Sequence, residues 1–149
     1  MPLRWKRAAA GAVAATVWGA LEPIDRRLFR NDYSDIAAVG KFFTRGPWWR
    51  PLGFAIHAVN GAIFGLVYHE LAERLRRDPR RFAIELALLE HFALFPTGYL
   101  VDRFHPARGE PGVVRLFSAR AFGQAAVRHA LFGALLGRLG TEHGAARSS

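Results

Sequence analysis

Four long apolar segments separate shorter stretches in which the charged residues concentrate. Each segment approaches the roughly 20 residues that an α-helix needs to cross the ~30 Å hydrocarbon core of a bilayer. The pattern therefore predicts an all-α fold, an integral membrane bundle of four transmembrane helices forming a single domain over residues 1–149. The predicted spans are approximately 3–21, 52–72, 82–101 and 122–139.

The first interfacial connection, 22–51, carries its own local signals. Pro23 is expected to end the first helix, because proline lacks a backbone donor and its ring clashes with the preceding turn. Further on, Ser34 is a good cap for a short helix that runs to Phe43. This connection is therefore predicted to contain one short helix lying at the membrane surface.

Three other segments raise expectations of their own. The N-terminal segment has the basic start and apolar core of a signal peptide, but it lacks a convincing small-x-small cleavage site and is predicted to be retained. Pro96 lies inside the third span, where neighbouring helices can satisfy the carbonyl that a proline leaves without a partner. The second interfacial connection, 102–121, leads into a helix that begins near Val113, and the polar tail 140–149 is expected to fray.

The pattern H-A-x-x-G-A-x-x-G occurs twice, at 57–65 and at 129–137. Helical residues four apart lie on one face, so each copy presents a smooth glycine stripe. Small residues at this spacing form close helix–helix contacts in lipid. The duplication predicts a parallel 2+2 internal repeat packed through the stripes, which are also candidate contacts for a homo-oligomer. The stripe glycines are Gly61, Gly65, Gly133 and Gly137.

The net charge of +9 comes mainly from arginines that bracket the apolar segments. The densest group, five arginines within 74–81, lies in a short connection between the second and third spans. Short loops this basic are typically cytoplasmic. We therefore predict a bacterial plasma (inner) membrane protein with both termini in the cytoplasm and the lipid bilayer as its main partner. The alternative is a soluble basic helical protein that binds nucleic acid, although the arginines do not line one face.

Glu90 and His91 lie inside the third predicted span. A carboxylate at that depth must be protonated, paired or beside water. Arg128 and His129, in or beside the fourth span, are candidate partners. The four residues form a predicted polar intramembrane cluster, which either moves protons or a small solute or is a hydrogen-bonded group that locks the helices together.

A second candidate site is the helix face that carries His57 and Asn60, with His129 on the matching face of the other repeat. Two histidines from separate helices are able to ligate haem or a metal ion. No carboxylate stands three or four residues from either histidine, so the di-iron pattern of helical bundles is absent. The sequence therefore predicts no metal site and no cofactor, with haem held by His57 and His129 as the alternative.

The order of several landmark residues is also informative. They are Trp18, Glu22 and Pro23 in the first helix region, His57, Tyr68 and Glu70 in the second, His91, Pro96 and Gly98 in the third, and His129 in the fourth. This order resembles the YagU-like family of small bacterial inner-membrane proteins. The resemblance implies four helices and a plasma-membrane location, and it implies no known chemistry.

No catalytic residues are predicted. The chain has no cysteine and contains neither a phosphate-binding loop, nor a dinucleotide fingerprint, nor a nucleophile elbow. We therefore expect a small multi-pass membrane protein with a non-enzymatic role in assembly or in proton or small-solute movement. The alternatives are a haem- or metal-binding redox membrane protein and the soluble nucleic-acid-binding protein.

Overall fold

The computed structural model describes residues 3–145, and side chains as far as residue 140. This part of the chain is all-α, as predicted, with 79% of residues in helices. Its α-helices are α1 (Leu3–Leu28), α2 (Asp35–Phe43), α3 (Trp49–Arg74), α4 (Pro79–Leu94), α5 (Gly98–Phe104) and α6 (Ala119–Ala145). A 3-10 turn at Phe95–Thr97 joins α4 to α5.

Consecutive long helices run antiparallel to each other. The two ends of the bundle differ in composition. At the basic end, the start of α1 meets the end of α3 through an ion pair between Arg7 and Glu73. The start of α4 lies there too, and its Pro79 carbonyl accepts a hydrogen bond of 2.7 Å from the Tyr68 hydroxyl. The opposite end, which we call the loop end, holds α2 and both long connections.

Glycine allows α1 and α3 to approach until their backbones touch. A Cβ placed on Gly61 would lie 2.5 Å from the carbonyl oxygen of Gly11, and one on Gly65 would lie 3.1 Å from the Gly11 Cα. Neither position has room for a side chain. The first stripe predicted from the sequence is therefore occupied by another helix of the same chain.

The pair formed by α4 and α6 repeats this arrangement. A Cβ on Gly133 would lie 2.7 Å from the carbonyl oxygen of Ala83, and one on Gly137 would lie 3.3 Å from the Ala83 Cβ. Each of these three residues lies 72 positions after its counterpart in the first pair. The two pairs also run in the same direction, so the contacts have the order that a parallel 2+2 repeat requires.

Small residues make up much of the core near the basic end, where they let the helices pack closely. Tyr68 and Leu136 are fully buried there, and they are surrounded by alanines from α1, α3 and α4. The buried members of this core are Ala10, Ala14, Tyr68, Ala72, Phe82, Ala83 and Leu136.

The helix α2 forms as the sequence predicted, with Ser34 as its N-cap. The Ser34 hydroxyl accepts a hydrogen bond of 3.0 Å from the backbone N–H of Ala37. The second connection packs over this helix, because His105 Nε2 lies 2.7 Å from the carbonyl oxygen of Ala38 and the Lys41 ammonium pairs with Glu110 at 3.2 Å. The two connections therefore close the loop end together.

The expectation that Pro23 ends the first helix is wrong, because α1 continues through it to Leu28. An interior proline costs a helix about 3 kcal/mol. Residues on either side of this one are held by partners elsewhere in the fold. Glu22 accepts backbone hydrogen bonds from α2, and Asp25 pairs with a cation on α6. These contacts offset the missing backbone donor and keep the last turn helical.

The fourth long helix also differs from expectation at both ends. It begins at Ala119 rather than near Val113, because the Asp102 carboxylate accepts hydrogen bonds of 2.6 and 2.9 Å from the backbone of the two residues after Arg115. These bonds hold that segment outside the helix. The helix then continues to Ala145, so the first part of the tail predicted to fray is helical, and 146–149 lie outside the described residues.

Two of the long helical units are long and apolar enough to cross a membrane. They are Trp49–Arg74 and Pro79–Phe104, the latter being α4 and α5 together across the bend at Pro96. Both contain a span predicted from the sequence. The remaining two predicted spans lie within α1 and α6, which are not among the helices apolar enough to cross a membrane in the described part of the chain, so four spans stay a prediction.

Candidate functional site

A buried ion cluster joins α6 to α1 and α2 at the loop end. The Arg128 guanidinium, in a residue only 1% exposed, donates two hydrogen bonds of 2.5 and 2.8 Å to Asp25 and one of 2.8 Å to Asp35. Glu22 lies 3.5 Å from the same guanidinium. We call these four residues the Arg128 cluster, and they tie three helices together.

Neighbouring polar groups complete the cluster. Arg128 also donates to the carbonyl oxygen of Tyr33 at 2.8 Å, and its guanidinium lies over the rings of Tyr33 and Trp18. The buried Gln124 amide donates to Asp25 at 3.2 Å and accepts from Asn31 at 2.8 Å. The cation therefore has partners on several sides, as a charge removed from water requires.

The same cluster shifts the acid–base equilibria in the first connection. Burial alone would raise the pKa of Asp35, but the adjacent Arg128 guanidinium, together with smaller contributions from His57, the Tyr33 hydrogen bond and His129, holds that pKa below its usual value. The Tyr33 hydroxyl donates to the Asp35 carboxylate. Burial and this negative neighbour raise the pKa of Tyr33 well above its usual value, so the phenol keeps its proton.

A cavity of about 520 Å³ lies beneath the Arg128 cluster, and residues from all six α-helices line it. Its volume falls within the range of about 300–1,000 Å³ that small-molecule pockets occupy. We call it the central cavity. Polar side chains project from facing helices, and they are Asp35, His57, Asn60, Glu90, His91, Arg128 and His129.

Three of the polar residues predicted from the sequence meet on one wall of the central cavity. His129 Nε2 lies 3.8 Å from a Glu90 carboxylate oxygen, and the His91 and His129 rings are 5.0 Å apart between centroids. His129 Nδ1 lies 2.8 Å from the Ala125 carbonyl oxygen, so this nitrogen carries the proton and Nε2 faces Glu90. Glu90, His91 and His129 thus form a contiguous polar group.

Aromatic rings pack against the wall formed by Glu90, His91 and His129. The Phe122 ring lies 4.8 Å from both the His91 ring and the Phe95 ring, measured between centroids. Phe95 in turn stacks on Phe117 at 5.2 Å. The bend at Pro96 places this aromatic group between α4 and α6, where it holds His91 against the central cavity.

Among the residues that the structure describes, one nitrogen of each of two buried side chains beside the central cavity has no hydrogen-bond partner. Trp18 is 7% exposed and His91 is 4% exposed, and both side chains line the cavity. The unpartnered atoms are Trp18 Nε1 and His91 Nε2. Leaving a buried polar group without a partner costs about 1–3 kcal/mol. Both side chains line the central cavity, so a ligand held there would lie against them.

The Arg128 guanidinium binds Asp25 and Asp35 rather than Glu90, although Arg128 lines the central cavity together with Glu90, His91 and His129. His57 and Asn60 line the central cavity on the α3 side, and Gly61 forms part of its wall. The other stripe glycines, Gly65, Gly133 and Gly137, lie at helix contacts.

Trp18, Asp25 and Asp35 were not predicted from the sequence to be part of a site. One signal was available: Glu22 and Asp25 are three residues apart and therefore share a helix face if the helix continues past Pro23. Because Pro23 was expected to end the helix, the shared face of Glu22 and Asp25 was not recognised.

The described residues contain no group of three or more histidine, cysteine or acidic side chains arranged to hold a metal ion. Haem ligation by His57 and His129 stays a prediction. Both residues line the central cavity, and His129 Nε2, the nitrogen left for iron, faces Glu90.

Comparison with known proteins found no matching family model, no matching curated protein and no matching solved structure. The resemblance to the YagU-like family therefore stays a prediction.

Proposed function

We propose that this is a non-enzymatic membrane protein of four spans that binds a small solute in the central cavity. The observation that carries the proposal is the pair of buried nitrogens, on Trp18 and His91, that lack a partner beside a cavity of about 520 Å³. The histidines and the glutamate on the cavity wall supply further polar contacts for the same solute.

Exposed apolar residues on all four long helical units support membrane insertion. On α1, α3 and α6 they recur four residues apart and so form a stripe on one face. Soluble monomers rarely expose contiguous apolar surface of this extent. These stripes would therefore lower the solubility of a soluble nucleic-acid-binding protein. The residues are Val13, Val17, Leu21, Val59, Ile63, Val67, Leu89, Phe92, Val127 and Leu131.

The arginines at the basic end support a cytoplasmic position for that end and for both termini. The absence of cysteine from the whole chain makes the arrangement simple to test with single introduced thiols. Arg81 at the basic end and Arg108 at the loop end are both exposed, and neither side chain makes an ion pair within the described residues.

We expect an Arg108→Cys variant to react with a membrane-impermeant maleimide in intact cells. An Arg81→Cys variant should react only after the membrane is permeabilised, because its thiol would face the cytoplasm. Labelling yield on a gel measures both. Equal labelling of the two variants in intact cells, or release of the protein by a carbonate wash, would contradict the four-span arrangement.

A cavity-filling substitution tests solute binding. Ala38 lines the central cavity from α2, whereas Ala93 is exposed on the outer surface of α4. We expect wild-type protein extracted in mild detergent to carry a bound small molecule in native mass spectra. The Ala38→Trp variant should lose that molecule, since the indole would fill the space, and the Ala93→Trp variant should retain it. Wild-type protein without a bound mass, or equal retention in both variants, counts against a solute site.

Haem binding through His57 and His129 is a second candidate, favoured by the position of both residues on the central cavity. It predicts a Soret band in the detergent extract that the His57→Ala variant lacks. Homo-oligomer formation also stays a prediction, and it requires a surface other than the stripe glycines, which other helices of the chain already contact.

A further inference from the structure

The chemistry around the central cavity points to one class of solute. We infer that the cavity binds an uncharged, carbonyl-bearing amphiphile drawn from the bilayer, with its polar head against Trp18 and His91 and its apolar chain directed towards lipid. This inference rests on the proposed function, since it names the solute of the same cavity.

The unpartnered nitrogens require a hydrogen-bond acceptor in the head group. An indole nitrogen only donates, so Trp18 Nε1 is satisfied by an acceptor and by nothing else. The imidazole of His91 supplies a second contact of either polarity according to its tautomer. A ring with two carbonyl oxygens offers one acceptor for each nitrogen, whereas an alkylammonium head would leave the indole without a partner.

The charges around the cavity argue against an anionic head. Arg128 is the one arginine or lysine that lines the central cavity among the described residues, and three carboxylates already surround it. The other charged groups at the wall are the carboxylates of Asp35 and Glu90. A carboxylate or phosphate head would face these groups without a free cation to pair with. The acceptor is therefore expected to be neutral.

The position of the cavity opening indicates that the ligand has an apolar part. Several residues that line the central cavity are also exposed at its mouth, and they are Phe42, Phe43, Asn60, Leu94 and Thr97. They belong to α2, α3 and the bend between α4 and α5. Because α3 and the α4–α5 unit are the two candidate spans, the mouth would face lipid rather than water. Aromatic side chains beside it suit an alkyl chain.

The test compares four probes that share a six-membered ring and a decyl chain. They are decyl-p-benzoquinone, decylbenzene, decylbenzenesulfonate and N-decylpyridinium, which differ in acceptors and charge. Each is titrated into the purified full-length protein in detergent, and native mass spectrometry gives the Kd. We expect the quinone to bind about tenfold or more tightly than decylbenzene, since two buried hydrogen bonds distinguish them. The two charged probes should bind more weakly than the quinone.

Matched variants assign the effect to the cavity. The Trp18→Phe substitution should reduce the quinone's advantage over decylbenzene about three- to tenfold, because one donor is lost. Trp5→Phe removes an exposed indole outside the cavity and should change neither Kd. A thermal melt of each variant confirms folding, and the probe comparison on wild-type protein decides the question if Trp18→Phe fails to fold.

The outcomes separate the two proposals. Equal binding of the quinone and decylbenzene, or tighter binding of a charged probe, would overturn the assigned ligand class while leaving a solute cavity in place. Failure of all four probes to bind, together with wild-type protein that carries no bound mass, would overturn the proposed function itself. An advantage of the quinone that survives Trp18→Phe would place its head elsewhere and reject the site.

Discussion

Adding a single methyl group at Gly61 or Gly133 is expected to destabilise the protein by about 3 kcal/mol, the upper part of the range for overpacked sites. At Gly61 the new Cβ would lie 2.5 Å from the Gly11 carbonyl oxygen, and at Gly133 it would lie 2.7 Å from the backbone of Ala83 and of Ile84. Backbone atoms cannot rotate away as a side chain can, so each helix pair must separate. Because the two pairs correspond, the Gly61→Ala and Gly133→Ala variants should lose similar stability.

Gly123 provides the control, since it lies on the same helix as Gly133 and a Cβ there would meet no atom within 4 Å. Gly123→Ala should leave the protein unchanged or stabilise it by up to about 1 kcal/mol, because alanine is the better helix former. The free energy of unfolding in detergent, measured by denaturant titration, compares the three variants. If Gly133→Ala is as stable as Gly123→Ala, the close contact between Gly133 and the Ala83 backbone does not exist.

The glycine stripes show how far sequence reasoning reaches into this fold. Residues four apart share a helix face whatever surrounds the helix, so the spacing within each copy was sufficient to predict a packing surface. The spacing did not predict which helix would pack against this surface. Nothing in the spacing specified that Gly61 would face Gly11 within one chain rather than another copy. In the second helix pair, the residue that corresponds to Gly11 is Ala83, which is not a glycine. This correspondence can be recognised only from the positions of the helices in the structure.

The candidate site was predicted less completely, and the reason is also local. Glu90, His91 and His129 were identified because charged or titratable groups inside apolar segments are conspicuous. The carboxylates that bind Arg128 lie instead in a stretch that resembles an ordinary polar boundary. Their role depends on α1 continuing past Pro23 and on α2 folding back over α1. Both are tertiary effects that override a local helix-breaking signal, so the sequence pattern alone does not reveal that Asp25 and Asp35 bind Arg128.

Removal of the Arg128 guanidinium should be the most damaging single substitution at the loop end. In an Arg128→Met variant the buried carboxylate of Asp25 and the half-buried carboxylate of Asp35 would lose their cation, which typically costs about 3–5 kcal/mol. The free energy of unfolding should fall by that amount near neutral pH. Arg115→Met, at an exposed position before α6, should stay within about 0.5 kcal/mol of wild type.

Charge, rather than packing, is the expected cause of this loss, and two measurements distinguish them. Adding Asp25→Asn to Arg128→Met removes one of the uncompensated charges, so the double variant should recover part of the lost stability. Acidification should narrow the gap as well. Without the guanidinium, burial would raise the pKa of Asp35, so the penalty would be relieved as the pH falls from that raised pKa towards the ordinary value of about 4. Wild-type protein instead loses, below about pH 4, the stability that its lowered Asp35 pKa supplies above that pH. A gap that is independent of pH and unaffected by Asp25→Asn would mean that Arg128 acts through its packed side chain and not through the ion pairs.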